Sequence, residues 1–185
     1  MTVGKDPSTV AIGAGTLYVA PIGTAEPLSI TGAFAGGWIP LGYTLDGTIF
    51  TSGSTTSNLE VAEEYYPLTT IVTEKVSMVD FKLSQITAVN MSYAMNGGTT
   101  SVVGGGGGVT FDPPAPGTEV RVMLAWQSLD STERYVWRQC FQTAATARNM
   151  QKTVPQATLN CSFNLEKPSG LQPWRWFGTA ARSGS

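Results

Sequence analysis

Few side chains in this sequence could carry out chemistry, and their spacing narrows the options further. Histidine is absent, which removes the commonest general base, the usual metal ligand and every Ser-His or Cys-His nucleophile arrangement. Glu63-Glu64 is the only adjacent pair of carboxylates. On a strand, consecutive residues point to opposite faces, so these two cannot jointly flank one scissile bond. Cys140 and Cys161 form no Cys-x-x-Cys pair, and both fall in apolar-looking strands. That pattern predicts buried free thiols and folding in a reducing compartment. A glycine run from Gly104 to Gly108 has no Lys-Ser or Lys-Thr behind it, so it is no phosphate-binding loop. Five tryptophans and six tyrosines invite a sugar- or base-stacking reading. Yet Trp126, Trp137, Trp174 and Trp176 fall on the apolar sides of alternating strands, where packing is their expected use. The expectation is a chain with no catalytic centre, cofactor or metal.

The elements that position these residues follow from composition and periodicity. The chain of 185 residues has the length of one domain, and 42% of it is hydrophobic. Only 13% is charged, about half the usual share of roughly 25%. A surface so poor in charge must be covered by small polar residues or by other chains. The net charge of −2 lacks the concentrated basic face of a duplex-binding protein. Its sign is nonetheless uneven. Acidic residues alone occur between Glu26 and Glu74, and basic residues alone between Arg134 and Lys152. Such polarity can steer one copy of the chain against another. No apolar run reaches the roughly 18 residues of a membrane span, and the first residues carry no hydrophobic signal region. Synthesis and folding in a cytosol are expected.

Strands dominate the pattern. In residues 157–165 every odd position is apolar and every even one a small polar residue, the signature of a half-buried strand. Val120, Val122, Leu124 and Trp126 share one face of another, and Tyr135, Trp137 and Phe141 one face of the next, opposite Arg134 and Arg138. Ser128-Leu-Asp-Ser131 between those two reads as a hairpin turn. Further strands are predicted over 16–22, 38–51, 58–63, 66–83, 150–154 and 174–177. Within 75–83 the apolar residues switch from even positions (Val76, Met78) to odd ones (Val79, Phe81, Leu83). Either a bulge shifts the register or both faces are partly apolar, as in a strand packing on its own core and on a neighbouring chain. One helix is predicted, with Ser84 as N-cap and a stop at Asn96-Gly97-Gly98. Residues 97–117 read as a flexible Gly/Pro-rich connection, and 52–57 as a low-complexity loop.

The order of several short motifs resembles the major tail tube proteins of long-tailed bacteriophages. These are Ala14-Gly-Thr-Leu-Tyr-Val-Ala-Pro near the start, Leu41-Gly-Tyr-Thr-Leu-Asp-Gly47 followed by a Ser/Thr loop, the long strand into a single helix closed by Gly97-Gly98, and the terminal aromatic segment Trp174-Arg-Trp-Phe177. The resemblance runs from about Ala14 to Phe177; the glycine run from Gly104 to Gly108 belongs to no pattern of that family. It implies a mainly β domain, a β-sandwich or partial barrel with one flanking α-helix, whose inner strands join a hexameric-ring β-barrel. Rings stack head-to-tail into a hollow tube that conducts DNA without binding it specifically. The implied partners are the chain itself and the tail terminator, distal tail and tape-measure proteins. The implied location is the virion tail, assembled in the bacterial host cytoplasm with no membrane contact. On that plan the domain spans 1–185, with an N-terminal arm over 1–13, a long inter-ring loop region over 47–64, an insertion over 97–117 and a tail over 178–185. A β-sandwich adhesin or carbohydrate-binding module of a virion or cell surface, binding glycans through exposed tryptophans, is the alternative.

Two groups of residues become site candidates. Asn58 and Glu60 share one strand face, opposite Leu59 and Val61, which would point to the sandwich core; Asn58 and Glu60 would then line an acidic lumen that does not grip phosphate. Ser52, Gly53, Ser54, Thr55, Thr56 and Ser57 form the expected mobile tip of a stacking loop. Beside it Glu63 and Glu64 would meet Arg134, Arg138, Arg148 or Lys152 of the next ring.

Overall fold

The computed structural model describes residues 13–104, 107–148 and 157–179. The predicted strand at 150–154, Lys152 and nearly all of both terminal segments lie outside the described residues. Ten strands and one helix follow in the order β1 (Gly15–Pro21), β2 (Ile39–Pro40), β3 (Thr44–Leu59), β4 (Thr69–Leu83), α1 (Ala88–Ala94), β5 (Thr99–Val103), β6 (Gly108–Asp112), β7 (Val122–Ser128), β8 (Glu133–Gln142), β9 (Leu159–Leu165) and β10 (Trp174–Gly178).

One antiparallel sheet in the order β2-β1-β7-β8-β9-β4-β3 carries the fold, and β10 also pairs with β8. The division falls within β8, whose Glu133–Trp137 stretch pairs with β10 while its Cys140–Gln142 stretch pairs with β9. The sheet therefore turns over on itself. Phe50 of β3, the last strand in the order, lies 5.6 Å from the Trp137 ring and 5.3 Å from Trp174. The result is a two-layered, mainly β sandwich that does not close into a barrel, with one helix at its flank.

Between the layers lies the main core. Leu159, Cys161 and Phe163 enter it from β9, as the alternation predicts, and Val79, Phe81 and Leu83 from β4. Phe81 and Phe163 stack with centroids 5.7 Å apart. Strand β7 departs from its predicted single apolar face. Val122 and Leu124 enter the main core, while Met123 and Ala125 are buried on the other side of the sheet. The connection between β1 and β2 folds back there and seals that side with Phe34 and Trp38.

The helix begins three residues later than predicted. Thr87, not Ser84, is the N-cap, accepting a 3.1 Å hydrogen bond from the Asn90 backbone N–H. Its C-terminal stop is as expected: Asn96 takes a positive φ of 56°. The Asn96 amide then donates to the Gln142 carbonyl at 2.8 Å and accepts from the Gln142 N–H at 2.9 Å, tying the helix to β8. Residues 97–117 are not a featureless connection. They contain the β5–β6 hairpin, which forms a separate two-stranded sheet beside α1. Gly98 permits it: a Cβ there would sit 2.6 Å from the Asp112 carbonyl oxygen.

Both cysteines are buried and free. Burial pushes the Cys161 thiol up from 9.0 to about 12 and raises Cys140 as well. The fold thus favours the neutral thiol. That contribution is intact below the unfolded-state value near 9 and is lost as pH rises towards about 12. Unfolding free energy should decline across that alkaline window, less steeply in Cys161→Ala. At pH 8 neither thiol should react with a thiol reagent until the chain is unfolded; rapid labelling of the native protein would contradict the burial.

Candidate assembly interface

The β3–β4 hairpin runs well past the body. From Ser52 to Leu59, and back from Thr69 to Val76, every residue is exposed on both faces. The pairing is nevertheless continuous from Phe50↔Val79 to Leu59↔Thr69, with one register shift between Thr55 and Thr56. Side chains reinforce it. The Ser52 and Ser77 hydroxyls share a 2.9 Å hydrogen bond, and Thr70 Oγ1 donates to Asn58 Oδ1 at 3.0 Å. The expected mobile loop over 52–57 is therefore strand. Threonine favours a pleated strand, and here its partner strand supplies the order that Ser and Gly lack.

The two faces of this arm differ. Ser52, Ser54, Thr56 and Asn58 continue the side that faces the core at Phe50. The opposite side carries Ile49, Leu59, Ile71 and Val76, all exposed, whereas Val72, paired with Thr56, is the one exposed apolar residue on the first side. The switch of apolar positions within 75–83 thus has its explanation: pairing with β3 is regular from Lys75 to Phe81, the next shift falling opposite Phe81 and Lys82, so Val79, Phe81 and Leu83 fill the core while Val76 lies on the outer face. At the end of the arm, Leu68 N–H donates to the Leu59 carbonyl at 2.9 Å and closes a tip that presents Glu63, Glu64, Tyr65 and Tyr66. Tyr65 is 103% exposed and Tyr66 84%. An isolated two-stranded hairpin is marginal in water, and apolar exposure concentrated on one element marks an interaction surface.

The sequence model of a family described as phage tail tube protein matches residues 2–180. The chain belongs to the phage tail tube protein family. No curated protein matches it. As a tail tube protein it is a structural component of the virion tail, one that assembles with its own copies and with other tail proteins. Among the described residues, no helix is long and apolar enough to cross a membrane.

In this tail tube protein the residues singled out from the sequence are scattered. Asn58 lies in β3, whereas Glu60 falls just beyond the strand's end. Leu59 and Val61, expected to face a sandwich core, are 49% and 36% exposed, because no second layer among the described residues reaches the arm. Glu63 and Glu64 sit in the tip turn, so the opposite-faces argument for a strand does not apply to them.

Arg134 and Arg138 are buried inside the chain, at 4% and 6% exposure, rather than offered to a neighbour. The Arg134 guanidinium donates to the Ser29 and Gly32 carbonyls, each at 2.8 Å, and lies over the Phe34 ring. Its Nε also donates to Gln127 Oε1. Burial lowers its pKa. Arg138 holds Glu26 with two hydrogen bonds of 2.5 and 3.0 Å and donates a third to the Gln172 carbonyl at 2.7 Å. Both therefore clamp the β1–β2 connection and the approach to β10 onto β8. Arg148 is exposed, bridging Leu159 through its backbone.

The tryptophans give a glycan module little to build on. Trp38 and Trp137 are buried, Trp126 and Trp174 pack against the core, and Trp176, 38% exposed, donates its indole N–H to Glu133.

Sequence reasoning missed a cleft at the root of the arm. It measures about 700 Å³ and is lined by Ser52, Lys75, Ser77, Leu165, Lys167, Gln172, Pro173 and Trp174. Its two lysines are remote in sequence, so no periodicity links them.

Proposed function

We propose that six copies of the chain form a ring, that rings stack head-to-tail, and that the resulting hollow tube conducts phage DNA towards the host. The observation that carries this reading is the β3–β4 arm, exposed on both faces and more apolar on one, which has nothing to pack on among the described residues. Unpaired edges and apolar strips of this kind are satisfied when copies pair. Contact of one patch with a different patch on the next copy propagates as a filament. Asn58 and Glu60 are the proposed lining of the lumen, where a wall without cations leaves DNA phosphates free to slide. Glu63 and Glu64, with residues 52–57, belong to the contact between rings, and Arg148 and Lys152 are proposed as further cations on the facing ring, beside the direct partners of those carboxylates. The terminator, distal tail and tape-measure proteins are the proposed partners at the ends and inside.

Electron microscopy of the purified chain should show six-fold rings and stacked tubes, with Asn58 and Glu60 on the inner wall. Monomers alone at high concentration would overturn the reading. An inner wall dominated by Lys and Arg would overturn the lumen assignment.

A further inference from the structure

The tip of the arm and the cleft at its root are chemically complementary. The Lys75 and Lys167 ammonium groups stand at the cleft with no hydrogen-bond or ion-pair partner among the described residues. Trp174, Leu165 and Pro173 give it an apolar wall. The tip presents the matching set: carboxylates at Glu63 and Glu64, then the exposed rings of Tyr65 and Tyr66. A volume of about 700 Å³ falls in the range that encloses several such side chains.

A chain cannot fill its own cleft. The paired strands hold the tip away from Ser52 and Ser77 by roughly 25 Å, at about 3.4 Å per residue. Donor and acceptor thus lie at opposite ends of one paired hairpin, and only another copy can join them.

We propose that this cleft is the receptor for the arm tip of a neighbouring copy. Glu63 and Glu64 answer Lys75 and Lys167, while Tyr65 and Tyr66 pack against Trp174. The inference rests on the stacked-ring reading and supplies its acceptor. Unlike patches meet, so the contact does not close on a pair and each added copy exposes a fresh site. The charges set register and encounter rate, and the rings supply most of the affinity. The same pairing occupies two lysines that would otherwise attract phosphate.

The test uses the full chain, with tube growth followed by light scattering and microscopy. Lys75→Glu together with Lys167→Glu should reduce tube yield about tenfold or more, since two attractive contacts become repulsive. The melting transition should remain near wild type, as both side chains are exposed. Glu63→Lys with Glu64→Lys should do the same, and the chain carrying all four reversals should regain tubes. Independently, Glu63→Cys with Lys167→Cys should give ladders of disulfide-linked chains on oxidation, because the native thiols are buried.

Wild-type tubes that persist in the lysine double variant, or an absence of ladders, would overturn the cleft as receptor while leaving stacking intact. Lysine variants that form normal tubes but deliver DNA differently would also overturn it, placing the cleft on the lumen. Wild-type protein that never forms tubes would instead remove the reading on which the inference rests.

Discussion

Replacing residues 54–75 with an Asn-Gly turn is expected to abolish tube growth while leaving the body of the subunit folded. The new turn would join Gly53 to Val76, which already face each other across the hairpin, and a two-residue Asn-Gly link suits strands of this twist. Nothing removed reaches the core, because every residue from 54 to 75 is exposed. Exposed substitutions usually change stability by less than about 0.5 kcal/mol, so the thermal transition should stay close to wild type. Tube length in the electron microscope should fall to single rings or monomers. Normal tubes from the shortened chain would show that the arm is dispensable for stacking. Deleting 52–57 alone is a poorer experiment, since it would leave β4 without its partner over that stretch.

The second large effect concerns stability. Arg138 and Glu26 form a bidentate pair whose side chains are 5% and 18% exposed. Removing one partner of such a pair strands a charge in a poorly hydrated site, at a cost of about 3–5 kcal/mol. Glu26→Ala should therefore forfeit a large part of a total stability on the order of 5–15 kcal/mol. In urea the midpoint should drop with little change in slope. Replacing both partners with apolar residues of similar size, Glu26→Leu with Arg138→Met, should recover much of the loss. A loss below about 1 kcal/mol for Glu26→Ala would mean that water reaches the pair and screens it.

That pair also shows where the sequence was legible and where it was not. Strand β9 could be read from its alternation, and the β7–β8 turn from Asp130 and Ser131, because both signals are local. Asp130 Oδ1 accepts from the Thr132 N–H at 3.1 Å, and Ser131 takes a φ of 54°. The fate of Arg134 and Arg138 was not local. Period-2 reasoning puts them on the polar side of β8 but cannot reveal that the β1–β2 connection folds back over that side and buries them. The arm failed for a related reason. Ser52-Gly-Ser-Thr-Thr-Ser57 has the composition of a loop, and its order comes from pairing with β4 some twenty residues on. Ser84 and Thr87 are both acceptable caps by type. Thr87 prevails because its hydroxyl is the one that reaches Asn90. The root cleft needed three separated segments in place before it existed at all.

A hairpin without a core also bears on when assembly starts. Each residue held in a fixed conformation costs about 1–2 kcal/mol of backbone entropy, and in the free subunit the arm sets against that its ladder and a few side-chain hydrogen bonds, with no buried side chain from 52 to 76. On the stacked-ring reading, the first few subunits to meet would order their arms with few contacts in return, so tube growth by the purified chain should begin after a lag. A subunit arriving at an existing end meets a complete set of waiting surfaces and recovers that cost in one step. Growth should then be faster from an existing end than from dispersed subunits. A preformed ring added to dispersed subunits should therefore shorten that lag, and the place where a tube begins would be set by whatever supplies the first ring.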